Sequence, residues 1–228
     1  MPRESYDREL QRLQDEVLAL GSMVENALTD AVELLKRRDL EGSRRLIAAD
    51  NEINRRRFAL ESDALVLIAT QQPMARDLRV IAAVLEVATE LERIGDYAKG
   101  IARINLMIGP GPLVKPLIDI PAMAQRARAM LHEALDAFVR QDVEKAKAIP
   151  AQDEEVDALY NQVYRELMAI ILSNPSAIDQ ANYLLWAAHN LERAADRVTN
   201  ICERVVFTVT GRMEEMDSED AQSVESLG

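Results

Sequence analysis

The stretch "ELERIGDYAKGI", residues 90–101, returns as "NLERAADRVTNI", residues 190–201, and this internal repeat limits the possible folds more than any other feature of the chain. The likeness extends upstream. "AVELLKRRDLEGSRRLIAADNEIN" from Ala31 parallels "ALDAFVRQDVEKAKAIPAQDEEVD" from Ala134, matching Asp39 to Asp142, Asp50 to Asp153 and Asn54 to Asp157 at an offset of 103. Farther on, Ala88, Leu91, Glu92, Arg93, Asp96 and Ile101 match Ala188, Leu191, Glu192, Arg193, Asp196 and Ile201 at an offset of 100. The slip is absorbed near Pro73 and Pro175, where a helix should break because proline lacks the N–H and clashes with the preceding turn. Between the copies runs "IGPGPLVKPLIDIP", whose glycines and prolines mark a linker. A tandem duplication follows, with one unit over residues 1–108, a linker over 109–120 and a second unit over 121–211. The remaining residues 212–228 are acidic, poor in large apolar side chains, and expected to be frayed or disordered.

Each unit reads as three helices joined by short turns. The first spans are Tyr6 to Arg38, Leu40 to Thr70 and Met74 to Met107; the second are Pro121 to Arg140, Val143 to Leu172 and Ser176 to Thr210. Alanine, leucine, arginine and glutamate abound while aromatic residues make up only 4%, a balance that favours helix over strand. Asp39 and Asp142 stand where N-caps belong. Helices of this length run about 45 Å and bury an apolar stripe only against one another. The expected fold is all-α: two tandem antiparallel three-helix bundles, spectrin-like in outline, related by pseudo-twofold symmetry.

The formal charge of -12 argues against nucleic acid as a ligand, since phosphate neutralisation requires clustered Lys and Arg, and it disfavours anionic lipid surfaces for the same reason. No stretch approaches the roughly 18 continuous apolar residues of a membrane span, and "MPRESYDREL" lacks the apolar run of a secretory signal, so a cytoplasmic protein without membrane insertion is expected. The lone Cys202 cannot form an internal disulfide and lies in a helical pattern, where a small buried thiol is expected.

The chemistry concentrates in carboxylates. Glu92 and Asp96, and again Glu192 and Asp196, lie one turn apart on a helix face, where like charges cost about 0.2–0.5 kcal/mol per pair. Asp153 and Asp157 have the same spacing on the preceding helix of the second unit; in the first unit the equivalents are Asp50 and the neutral Asn54. Asp157 and Glu192 lie at nearly equal distances from Pro175, as do Asn54 and Glu92 from Pro73. Antiparallel packing therefore brings each pair to one height. Glu203 continues the acidic line in the second unit, whereas Lys99 and Arg103 replace Thr199 and Glu203 in the first. Facing oxygen donors suit a hard or borderline cation. The competing reading is a solvated acidic face in which Glu92 and Glu192 pair with Arg93, Arg193 or Arg197. Of the two histidines, His132 and His189, neither follows a glutamate by three residues, so the Glu-x-x-His pairs of a di-iron oxidase are missing. His189 is either a peripheral ligand or a hydrogen-bonded helix-face residue. Phosphate loops, nucleophile elbows and Cys–His pairs at catalytic spacing are also missing, and no enzyme is expected.

"ELERIGDYAKGIARI" and "NLERAADRVTNICERV", together with "QQPMARDLRVI", resemble the PhoU family of regulators attached to bacterial phosphate uptake, over about Tyr6 to Gly211. The resemblance implies a cytoplasmic homodimer at the inner face of the plasma membrane. It would work beside the nucleotide-binding subunit of the phosphate ABC transporter and the sensor histidine kinase, holding the kinase off when phosphate is plentiful. It further implies that Glu92 with Asp96, Asp153 with Asp157, and Glu192 with Asp196 hold iron clusters or other cations such as zinc, nickel, manganese or magnesium, with Asp50 and Asn54 as a weakened fourth motif. A signalling adaptor is thus the first expectation. A carboxylate-bridged metalloenzyme or metal store, and a purely structural helical module, are the alternatives.

Overall fold

The computed structural model describes residues 3–216, and every described element is helical. In order these are α1 (Arg3–Arg37), α2 (Leu40–Gln71), α3 (Arg76–Ile108), α4 (Asp119–Arg140), α5 (Val143–Ala148), a 3-10 turn (Pro150–Gln152), α6 (Asp153–Ser173), a second 3-10 turn (Pro175–Ala177) and α7 (Ile178–Thr210). Helices α1 to α3 form one antiparallel bundle and α4 to α7 the other.

Both expected caps are in place. Asp39 accepts from the Gly42 N–H at 2.8 Å and Asp142 from the Lys145 N–H at 3.0 Å, each satisfying a donor that the first helical turn leaves over. The α1–α2 corner is tied to α3 by Asn105. Its fully buried amide reaches Leu34 O at 3.0 Å, Asp39 O at 3.2 Å and Ser43 Oγ at 2.8 Å, while its oxygen accepts from Arg38. The carbonyls of Leu34 and Asp39, each already holding a backbone N–H, thereby gain a second donor from α3.

The helix expected over Val143 to Leu172 is not continuous. Pro150 ends it, and the chain passes through a 3-10 turn before α6 begins at Asp153. The missing N–H and the ring of a helix-interior proline account for the break. Its counterpart in the first unit is Ile47, and α2 runs straight through that position. Pro121, by contrast, lies within the first turn of α4, where no N–H is needed.

The bundles do not hang apart on a tether. Buried side chains of both units join in one core, with α3 lying along α7 and α1 along α4. Across these seams a residue meets either its own repeat equivalent or, in two matching contacts, the equivalent of its partner. Glu25 on α1 faces Arg128 on α4 at 3.6 Å; Glu90 on α3 accepts from Asn200 on α7 at 3.2 Å, and Asn190 packs against Gly100, where a Cβ would sit 3.3 Å from its amide. The crossed pattern is that of a pseudo-twofold axis between the units. Gly21 permits the α1–α4 approach, since a Cβ there would fall 2.2 Å from Leu135 Cδ1.

The proline-rich connection is a strap rather than a free linker. Arg38 holds the carbonyls of Gly109 and Gly111, Gln180 contacts Pro112 O and the Val114 N–H, and Lys115 pairs with Glu166 and Asp119. The start of the acidic tail, residues 212–216, leaves the helix and makes contacts of its own. Glu214 pairs with Lys147 at 3.1 Å, and Met216 packs on the core while its N–H donates to Glu203 at 3.0 Å. Residues 217–228 of that tail lie outside the described residues. Cys202 is buried as expected, and burial pushes its thiol up to about 12.

Candidate metal centre

In the second unit the break at Pro150 sets Asp153 as the first residue of α6, and Asp157 follows one turn on. Glu192 and Asp196 come from α7, packed antiparallel beside it. Asp153 is 9% exposed. Its carboxyl is pushed up to about 7, first by burial and then by the charges of Asp157, Asp196 and Glu192, with a hydrogen bond to Asp196 adding to the effect. Glu192 is raised by burial and then by Asp196, with Asp157 adding to it and His189 and Arg193 opposing. The charges of the four acids thus act on one another across the α6–α7 pair.

Two oxygens in this group are buried without a hydrogen bond: Asp153 Oδ1 and Glu192 Oε2. His189 Nδ1 lies 2.9 Å from Glu192 Oε2, near enough for an ion pair but not aligned for a hydrogen bond. Orphaned buried oxygens are costly, at about 1–3 kcal/mol each, and a cation removes that cost. Among the described residues, no three His, Cys, Asp or Glu side chains are placed so that they could hold one metal ion together. The donor set fits an oxygen-seeking cation in kind and charge. Asp153, Asp157, Glu192 and Asp196 are the residues that would hold one.

The first unit brings its equivalents together differently. Asp50 is 4% exposed, and its Oδ2 accepts from Lys99 Nζ at 2.7 Å and from Asn54 Nδ2 at 3.2 Å. The same ammonium donates to Asp96 Oδ1 at 2.9 Å. Lys99 is held above its ordinary range by these two carboxylates, Asp50 before Asp96. Glu92 is raised by burial and then by Asp96, with Arg57 across the helix pair opposing. Asn54 here serves as a donor to Asp50.

Glu203, farther along α7, accepts the Met216 N–H at 3.0 Å. Of the arginines weighed as partners for Glu92 and Glu192, Arg93 and Arg197 form their ion pairs with Glu90, at 2.8 Å and 3.6 Å, while Arg193 stays at the second group, 3.7 Å from Asp196, and acts on Glu192 through its charge. Sequence reasoning missed Glu90 altogether. The available signal was a charged residue standing beside the shared Leu-Glu-Arg where the second copy has the neutral Asn190. His132 belongs to another cluster, 3.2 Å from Glu25 at the α1–α4 seam.

The chain is thus of the class of duplicated all-α proteins, two like helical bundles in tandem with acidic side chains on the paired helices of each. The chain belongs to the PhoU family: the model of the PhoU domain matches it twice, over residues 17–104 and 120–205. It is 36% identical over 217 residues to the phosphate-specific transport system accessory protein PhoU homolog of Caulobacter vibrioides, covering 95% of this chain and 94% of that one. With the accessory protein PhoU of Escherichia coli it shares 32% over 207 residues, 91% of this chain and 86% of the other. The crystal structure of PhoU from Pseudomonas aeruginosa superposes with a TM-score of 0.85 at 31% identity, covering 91% of this chain and 100% of that one. Family members are accessory regulatory proteins, not enzymes.

Proposed function

We propose that this chain is a negative regulator of the phosphate regulon and an accessory modulator of phosphate uptake. It acts as a metal-binding adaptor between the nucleotide-binding subunit of the phosphate ABC transporter and the sensor histidine kinase. The observation that carries this reading is the match of both halves to the PhoU domain, alongside relatives named as accessory proteins of phosphate-specific transport. The coarse role, an accessory of phosphate transport, rests on those relatives. The adaptor mechanism and its metal rest on the acidic groups and the resemblance.

Such an adaptor works by contact: a protein that prefers one state of a kinase shifts the kinase population by its differential affinity. A homodimer at the inner face of the plasma membrane, reached through partners, is part of the proposal. No helix among the described residues is long and apolar enough to cross a membrane. The outer side of α2 supplies a plausible contact chemistry, with Phe58, Leu65 and Val66 exposed along one face. The test is deletion of the gene in its host with a phosphate-regulon reporter followed in high phosphate. Derepression reversed by the wild-type chain supports the reading; an unchanged reporter refutes it.

A further inference from the structure

We propose that the Lys99 ammonium is a tethered cation that fills the first-unit centre, so that free metal ions enter the second-unit centre alone, and that the residues at 99 and 199 decide which half is loaded. This rests on the metal-binding part of the proposed function and assigns a role that the repeat motif alone does not.

The argument is a comparison of the chain with itself. Both halves bury an aspartate at the same place, Asp50 and Asp153, each within reach of a second acid from the last helix of its unit. In the first half the charge is met from inside. Lys99 projects from α3 to Asp50 Oδ2 at 2.7 Å and Asp96 Oδ1 at 2.9 Å, and only 19% of its side chain is exposed. Asn54 removes one further negative charge there and donates to the same Asp50 oxygen. In the second half the residue at the repeat position is Thr199, buried and uncharged, and Asn54 is replaced by Asp157. The second half thus has one more carboxylate and one fewer ammonium. It also keeps an unpartnered oxygen, Asp153 Oδ1, on a side chain that is nine-tenths buried, where the first half has the Lys99 contact. A compact monovalent cation on a flexible stem is what the first half supplies and the second lacks.

The experiment uses the full chain stripped with chelator, dialysed against manganese(II), with bound ion followed by the loss of the free-ion electron paramagnetic resonance signal. Wild type is expected to take up ion that is lost in Asp153→Asn with Glu192→Gln and unaffected by Glu92→Gln. Lys99→Thr should gain about one further ion per chain, at a site abolished again by Asp50→Asn. Thr199→Lys should bind at least about tenfold more weakly than wild type. Metal-free thermal midpoints give a second reading, falling for Lys99→Thr and rising for Thr199→Lys, with Lys99→Gln replacing the threonine variant if that does not fold. If wild type binds no manganese while a Lys99 variant does, the tethered cation stands and the metal reading of the second unit fails. Absence of gained ion in both Lys99 variants, or a lower midpoint for Thr199→Lys, overturns the inference.

Discussion

Asn200 Nδ2 donates to Glu90 Oε2 at 3.2 Å across the α3–α7 seam, joining a carboxylate that is 6% exposed to the opposite bundle. Arg93 and Arg197 complete its surroundings at 2.8 Å and 3.6 Å. Deleting one partner of a buried charged group strands the others. Glu90→Ala is therefore expected to cost about 3 kcal/mol, and Glu90→Gln clearly less because the Asn200 contact survives. Urea denaturation of the two variants checks this, and equal losses would contradict it.

The raised carboxyl of Asp153 makes a pH prediction with a definite sign. Its ordinary value is 3.8 and its folded value about 7, so between these limits the folded chain binds a proton that the unfolded chain has released. Stability contributed by this group is present below about pH 4, falls as pH rises through about 7, and is then level. In chelator, the stability difference between wild type and Asp153→Asn should decline over that window. Manganese uptake should rise over the same window, because the ion competes with the proton. A difference that grows with pH would show the carboxylate to be stabilised rather than strained.

Asn105→Ala removes the amide that holds Leu34 O, Asp39 O and Ser43 Oγ. Leu34 O keeps the Asp39 N–H and Asp39 O the Ser43 N–H, so the cost is that of the lost hydrogen bonds and the emptied space, about 2–3 kcal/mol, measured by thermal or urea melting. Asp142→Ala, which removes only an exposed N-cap, should cost about 1 kcal/mol in the same assay.

Glu203 and Asp196 lie on one helical line but are expected to behave differently. Glu203→Gln should leave manganese uptake within about twofold of wild type, since its carboxylate serves the Met216 N–H. Asp196→Asn should reduce uptake at least about tenfold. Equilibrium dialysis of both variants decides, and a shared loss would return Glu203 to the site.

Much of this arrangement could be read before any coordinates. The N-caps Asp39 and Asp142, the turns at Pro73 and Pro175 and the buried thiol all follow from local chemistry and helix counting. What escaped was non-local or depended on side-chain reach. Lys99 was visible on the acidic line of α3, yet its ammonium turns toward Asp50 on α2, a choice set by rotamer and packing. Glu90 could not be told from a solvated glutamate until α7 was laid against α3. Pro150 was in plain view, but alignment with the unbroken segment around Ile47 carried the helical pattern across it. The return of Met216 to Glu203 depends on a tertiary contact that an acidic, irregular composition does not announce.

The crossed pairing of α3 and α7 has a consequence for how such a chain changes over time. In a dimer of identical single units, an isologous contact shows every residue twice, so a substitution on one side is imposed on the other. Fusing the two copies releases that constraint. Here Glu90 answers Asn200 on one flank of the seam while Asn190 answers a bare Gly100 on the other. The joined halves are therefore free to hold unlike charges at like positions, which no symmetric pair of separate subunits could do.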